Sequence, residues 1–513
     1  MKIKSLFKLL FSRLIIVGLL ILIQVLILTL FILKLSHNFI YVYIALLCLS
    51  IIMVIYILNK DMNPSVKLPW IVLIMVAPIL GGFYYLYFGT TRISKKHKTK
   101  MDTLEKSMSK LYPRNEKIYN QLLSENKLMA SQAKYTQNSS YYPVYNNTDT
   151  EYYKLGEIMF EKMKKELQNA TNFIFLEYFI IEEGIMWNSI LEILKEKAAN
   201  GVDVRVIYDD GGCIQTLPRN YDKKLRQMGI KAQVFNKLIP ILDSTLNNRD
   251  HRKILVIDGN IGFTGGINLA DEYINHVNKC GHWKDCGVML KGDAVWSLTL
   301  MFLKTWNFYN NIDNDFTKFK PKYINDDNLK NDGYVQPFGD TPLDNENLSE
   351  SIYLNMINQC TEYLYINTPY LIPDNEILTA LTLAAKRGVD VRIITPGISD
   401  NWFVQNVAQS HFKQLLLGGV KVYEYYKGFV HSKTFLSDDN LAVIGTVNLD
   451  YRSLYHNFEC GIWMYKSKAV FQLKSDFEEC LKESKEISLE ETKKVSGSIR
   501  FIRGILRFIA PLM

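Results

Sequence analysis

Three long apolar runs open the chain. Leu14 to Leu33 is broken only by Gly18, Gln24 and Thr29, Phe39 to Leu58 is a second run, and Leu68 to Phe88 is a third, with Pro78 and Gly81-Gly82 inside it. About 20 apolar residues span a bilayer as a helix. The pattern therefore predicts an N-terminal membrane anchor over 1–89, with segments at 14–33, 39–58 and 68–88. A charged stretch follows, predicting a basic juxtamembrane helix around 101–128 and a linker within 90–150, with a loop at Asn138-Ser139-Ser140. From Glu151 the pattern changes to helix periods alternating with short β-rich runs.

That second pattern occurs twice. FIFLEYFII (173–181) parallels YLYINTPYLI (363–372), GVDVRVIYDD from Gly201 parallels GVDVRIITPG from Gly388, and MGIKAQVF (228–235) parallels GGVKVYEY (418–425). Each half then ends in a matched hairpin, HRKILVIDGNIGFTGGIN (251–268) and HSKTFLSDDNLAVIGTVN (431–448). Strand, helix, strand, helix, strand and hairpin imply an α/β lobe with a largely buried sheet flanked by helices. Two such lobes are expected, at 151–330 and 331–482.

The hairpins carry the chemistry. Each has His, Lys two on, Asp five later, Gly seven later and Asn three later. These are His251, Lys253, Asp258, Gly265 and Asn268 in the first, and His431, Lys433, Asp438, Gly445 and Asn448 in the second. A strand repeats every two residues, so His and Lys share a face, and the Gly corner delivers Asn from the neighbouring strand end. Imidazole serves as nucleophile or acid-base near neutral pH, while ammonium and carboxamide groups hold phosphate oxygens. The duplicated pattern resembles the phospholipase D superfamily, whose two HKD half-sites form one active site.

That resemblance spans roughly Glu151 to Lys482. It implies two lobes about a pseudo-twofold axis, with His251 facing His431. In each half a carboxylate, Asp285 in HWKD or Glu459 in NFEC, then orients the catalytic His through its second nitrogen. Asp258 and Asp438 are counted with the catalytic residues as members of the motif, although they follow a strand directly and read more readily as turn and ion-pair anchors. Tyr178, Asn367 and Tyr370 end strands and are candidates for the pocket mouth. Asn248, Arg249 and Arg252 are candidates for a second phosphate, with surface salt bridging as the alternative. His276, His282, His411 and His456 match no motif position.

The net charge of +8 is moderate, and its placement matters more than its size. Lys2, Lys4, Lys8 and Arg13 precede the first run, and Arg92, Lys95, Lys96, Lys98 and Lys100 follow the third. The positive-inside rule places both clusters in the cytoplasm, which three full crossings cannot satisfy; the larger cluster favours a cytoplasmic catalytic domain on a multi-pass protein of the cell membrane. The seven scattered Cys argue for reduced thiols. Cys280, His282 and Cys286 fit no common zinc spacing, and with no Gly-rich nucleotide loop no metal or cofactor is expected. The tail, 483–513, ends in SIRFIRGILRFIAPLM. There Arg500, Arg503 and Arg507 share one helical face beside an apolar stripe of Ile499, Ile502, Leu506 and Ile509, widened by Phe501, Ile505 and Phe508. That is a short basic amphipathic helix, suited to a membrane surface or to the protein's own core.

HKD pairs alone allow a nuclease, a phospholipase, a phosphatidylserine synthase or a cardiolipin synthase. The stretch 63–89, two full motifs and the HRK and GTVNLDYRS contexts look like the last of these. The resemblance implies a phosphatidyltransferase that joins two phosphatidylglycerols through a phosphohistidine. Membrane lipid is the expected partner. No nucleic-acid module is visible to support a nuclease, and two complete motifs speak against a non-catalytic lipid-binding scaffold.

Overall fold

The computed structural model describes residues 22, 23, 26, 37–89, 95–238, 248–310, 315–321, 332–344 and 346–512. The chain divides into two units, 1–95 with 237–247 and 505–513, and 96–236 with 248–504.

In the first unit the expected apolar segment at 14–33 falls almost wholly outside the described residues. The segment at 39–58 lies in a helix, His37–Leu58, of 22 residues, whose side chains are described without a gap over 44–58. The segment at 68–88 is not one helix but two, Pro64–Val76 and Pro78–Phe88, of 13 and 11 residues. Pro78 breaks it, because it offers no N–H and forces the residue before it out of the helical region; Ala77 is extended at φ −136°, ψ 79°. The two pieces fold back closely, with a Cβ on Gly81 2.5 Å from the Leu73 carbonyl. At about 1.5 Å per residue neither piece reaches across the ~30 Å hydrocarbon layer. Among the described residues no helix is long and apolar enough to cross a membrane. The expected N-terminal transmembrane helices have no counterpart there.

The second unit holds both lobes. In the first, the strands are β1 (Thr148–Tyr153), β2 (Phe173–Tyr178), β3 (Asp203–Asp209), β4 (Lys231–Phe235), β5 (Lys253–Ile257), β6 (Ile261–Gly265), β7 (His282–Lys284) and β8 (Gly287–Gly292). The second has β9 (Tyr334–Asp340), β10 (Tyr363–Asn367), β11 (Asp390–Pro396), β12 (Lys421–Tyr425), β13 (Gly428–Val430), β14 (Thr434–Ser437), β15 (Leu441–Gly445), β16 (Glu459–Tyr465) and β17 (Ser484–Glu486). One sheet runs β4-β3-β2-β5-β6-β8-β1 and the other β12-β11-β10-β14-β15-β16-β9, with β17 added beside β12. The two orders are the same, strand for strand. In each, the first three strands are parallel and the hairpin strands antiparallel. Every residue of β2, β5, β14, β15 and β16 is buried, as near-continuous apolar runs between helix layers require.

The lobes are stitched together through backbone. β7 of the first lobe pairs in parallel with β13 of the second, Trp283 opposite Phe429, and Asp250 bridges to Phe458. Residues 96–147, expected as one helix and a linker, hold three helices packed on the lobes. The helices Lys95–Ser109, Glu116–Glu125 and Lys127–Ser140 carry buried Met101, Met108, Leu122, Met129, Ala130 and Ala133, and Gln336 on β9 donates to the Ala133 and Tyr142 carbonyls at 3.0 and 2.8 Å. The predicted loop at Asn138-Ser139-Ser140 is instead the last turn of a helix closed by Tyr141 in the left-handed region. Likewise β17 carries the second sheet past Lys482 into the expected tail.

Candidate active site

Each motif histidine stands just before its hairpin, where the chain crosses to the other lobe. The His251 N–H donates to the Phe458 carbonyl at 2.9 Å, and the His431 N–H to the Lys284 carbonyl at 2.7 Å. Phe458 and Lys284 immediately precede the two carboxylates. His251 Nδ1 therefore meets Glu459 at 2.9 and 3.0 Å, and His431 Nδ1 meets Asp285 Oδ2 at 2.6 Å. The pairing crosses between lobes, whereas the sequence placed each carboxylate in its own half. All four groups are buried. Lys253 and Lys433 are buried beside them, each with its Nζ on the carbonyl of its own histidine, at 2.6 Å for Lys253.

Burial dominates the electrostatics. It pushes His251 down and His431 down to about 3, with the neighbouring lysines adding to the shift and the carboxylates opposing it. Burial alone raises Glu459 and Asp285, but their histidine partners and the lysines bring both below the ordinary carboxylate range. The resting site thus holds ionised carboxylates and neutral imidazoles. A neutral ring that donates Nδ1–H to a carboxylate keeps Nε2 as its free lone pair. Burial also takes Lys253 down to about 7 and Lys433 to about 8, each lysine's charge being felt at the opposite histidine. An anion entering here recovers the charged form of both.

Asp258 and Asp438 are not part of this cluster. Asp258 stands at the far end of β5 from Lys253, about 16 Å away at ~3.3 Å per residue. Its carboxylate accepts from the Thr171, Asn172 and Phe173 N–H groups at 2.8, 2.7 and 2.9 Å. Asp438 repeats this with Thr361, Glu362 and Tyr363 at 2.8, 2.9 and 2.9 Å. Both sit at positive φ, 51° and 52°, in the hairpin turn. They anchor the loop through its backbone N–H groups, which fits the turn reading and not their place among the catalytic residues. Asp258→Ala is expected to lower unfolding free energy by about 2 kcal/mol through unpaired backbone donors, with kcat within a few-fold of the parent. A denaturation curve and an assay on one preparation check both halves.

Asn268 and Asn448 are buried at the strand ends. Asn268 accepts from Ile180 N at 3.1 Å and donates to Tyr273 at 2.7 Å; the side-chain oxygen Oδ1 of Asn448 has no partner among the described residues. Gly265 and Gly445 precede them because a Cβ at either would lie 2.4 Å from the carbonyl of Cys286 or Cys460.

A family model described as cardiolipin synthase, PLD-like domain, matches residues 163–281 and 353–481. A second, described as phospholipase D-nuclease N-terminal, matches 48–89. A cardiolipin synthase of Halalkalibacterium halodurans is 34% identical over 466 residues, covering 90% of this chain and 91% of the relative. This chain belongs to the cardiolipin synthase family. A further cardiolipin synthase, from Geobacillus sp. strain WCH70, is 35% identical over 474 residues, with 91% and 93% covered. The fold of this cardiolipin synthase family member is also that of a crystal structure of phosphatidylserine synthase from Haemophilus influenzae Rd KW20. There the TM-score is 0.55 at 12% identity, over 71% of this chain and 95% of that one.

Several contributors to this cardiolipin synthase site escape a motif search. Thr446, in GTVN, donates its hydroxyl to Glu459, and Asn457 donates to the same carboxylate at 3.3 Å. The first hairpin has Gly266 at the place of Thr446, and a Cβ there would fall 2.1 Å from Asp285. Phe179 lies edge-on to His251 at 5.0 Å, while Tyr273, Trp283 and Phe429 surround His431 at 5.4, 5.4 and 5.8 Å. Only a place in chain order hinted at Trp283, which shares HWKD with Asp285.

Other candidates are occupied elsewhere. Arg252 donates to Asp250 at 2.9 Å, Glu177 at 2.7 Å and Thr305 at 2.8 Å, and Arg249 to Asp209 at 3.2 Å. The salt-bridge reading of these arginines describes them, with the pairs buried rather than on the surface. The Asn248 carbonyl accepts from Asn236 at 2.9 Å. Tyr178 and Asn367 are buried, and Tyr370 donates to Asp400 at 2.8 Å. His282 pairs with Tyr425 at 2.9 Å, and among the described residues Cys280, His282 and Cys286 form no ligand cluster.

Proposed function

We propose that this protein is a cardiolipin synthase, moving the phosphatidyl group of one phosphatidylglycerol onto a second to give cardiolipin and glycerol. The observation that carries the reading is the crossed pair of buried histidines, each oriented by a carboxylate of the other lobe and each with a buried lysine beside it. It stands in a chain whose relatives over nine-tenths of its length include several cardiolipin synthases.

In the proposed reaction Nε2 of one histidine attacks phosphorus and the bond from phosphorus to the glycerol oxygen breaks. The other histidine, protonated when the phosphodiester is bound, gives that oxygen its proton. A hydroxyl of the second phosphatidylglycerol then attacks phosphorus, its proton passes to the second histidine, and the N–P bond breaks. Glu459 and Asp285 hold the rings and stabilise imidazolium. Lys253 and Lys433 bind the non-bridging oxygens, and Asn268 and Asn448 close the motif around them. The apolar N-terminal segments and the family match at 48–89 support anchoring at the cell membrane, and the basic cluster at 92–100 supports a cytoplasmic catalytic unit.

Purified protein given phosphatidylglycerol and labelled glycerol is expected to make cardiolipin and to return label to phosphatidylglycerol, since a phosphohistidine does not distinguish which alcohol left. Net release of phosphatidic acid without cardiolipin would mark a phospholipase instead. The lysines set a pH dependence. Above their values of about 7 and 8 the free site loses positive charge, so kcat/KM in mixed micelles should fall from pH 7 to 9. Bound phosphodiester raises both lysines, so kcat should fall later; a flat kcat/KM over that range counts against their role.

A further inference from the structure

We propose that the C-terminal helix lays the catalytic unit against an anionic lipid bilayer through Ile499, Phe501 and Ile502. The helix, Gly497–Ile509, is strongly two-sided. A two-sided helix on a protein in water ordinarily turns its apolar side inward. Here a basic residue faces the protein: Arg503 donates from Nε to Asn406 Oδ1 at 3.1 Å, and from Nη2 to Gln409. Phe501, two residues away and so about 200° round the helix, is 71% exposed, with Ile499 at 42% and Ile502 at 39%. The guanidinium pins the polar side down and holds Ile499, Phe501 and Ile502 outward, while Leu506 further along the helix is buried.

The neighbouring helix extends this surface. Asn406 and Gln409 lie four and seven residues after Trp402, on one stripe of Trp402–Leu417, and Trp402 at the head of that stripe is 63% exposed. Exposed indole and phenyl rings beside cations are the composition of an interfacial surface. Lys493 and Lys494 precede the apolar residues and Arg500 lies among them, supplying charge complementary to anionic headgroups. That complementarity favours a lipid surface over a second copy of this positively charged chain. A substrate that resides in the bilayer makes the same surface useful, and only this last point rests on the function proposed above.

The test uses the full chain with Cys48→Ser, which removes the exposed thiol and leaves six buried ones. An environment-sensitive fluorophore is placed by Phe501→Cys, or by Glu161→Cys on an exposed side chain as control. In vesicles of about one-third phosphatidylglycerol in phosphatidylcholine, nitroxide on the acyl chains should quench the label at 501 at least twofold more than at 161. Ile499→Glu with Ile502→Glu should abolish the difference. In addition, Phe501→Glu should raise KM for vesicle phosphatidylglycerol about fivefold or more and leave turnover of a short-chain, dispersed phosphatidylglycerol unchanged. Equal quenching at the two sites would overturn the proposal. So would a label at 501 that is shielded from water, unquenched by lipid and cross-linked between copies, which would assign the face to self-association. Insertion of the label by a chain that makes no cardiolipin would leave the docking standing and remove the function instead.

Discussion

His251→Ala and His431→Ala are each expected to lower cardiolipin formation by on the order of 10⁴-fold or more, and the double substitution to cost little beyond either alone. The reason is that the two rings perform halves of one exchange: one carries the phosphatidyl group while the other moves the proton. Removing either leaves no path through the intermediate, so the second loss has nothing further to abolish. The residual rate is then what the lysines and binding alone supply. Single-turnover assays with labelled phosphatidylglycerol, and trapping of phosphohistidine in the parent, measure this. Two independent half-sites would instead leave each single variant with a large fraction of turnover, and the double variant with far less.

Asp285→Asn and Glu459→Gln are expected to cost about 10²–10³-fold in kcat, milder than losing a ring. An amide in place of a carboxylate removes the charge that stabilises imidazolium, and can turn its NH₂ toward Nδ1 and select the wrong tautomer. The crossed geometry makes the effect specific. Glu459→Gln should move the imidazole nitrogen resonances of His251, to which it is bonded at 2.9 Å, and leave those of His431 in place. Asp285→Asn should do the reverse. A shift at the histidine of the same lobe would mean that the carboxylates act within their own halves. Thr446→Val, which removes a donor to Glu459, should resemble a weak form of Glu459→Gln.

How much could be read from the chain follows from the range of the forces involved. The lobes, their duplication and the hairpins are written locally: β-rich runs between helix periods, and a strand period that puts His and Lys on one face. The same local logic identified Asp258 and Asp438 as turn residues. His251, Lys253, His431 and Lys433 were legible because the motif is repeated, and Asp285 and Glu459 because the family resemblance pointed to them. Local pattern misjudged the apolar segment at 68–88, where hydropathy outweighed the backbone constraint of Pro78, and residues 96–147, whose short buried stripes read as one juxtamembrane helix and a linker.

Partnership across the molecule belongs to tertiary structure alone. Nothing along the chain says that Glu459 serves His251 rather than His431. That follows from β7 pairing with β13 and from Asp250 bridging to Phe458, contacts between residues about 146 and 208 apart in sequence. The depressed lysines and neutral histidines also arise only there, because desolvation depends on what the other lobe covers. So does the outward turn of the C-terminal helix. Its two-sidedness is periodic and plain in the sequence, but which side faces the protein was decided by Asn406 and Gln409 meeting Arg503.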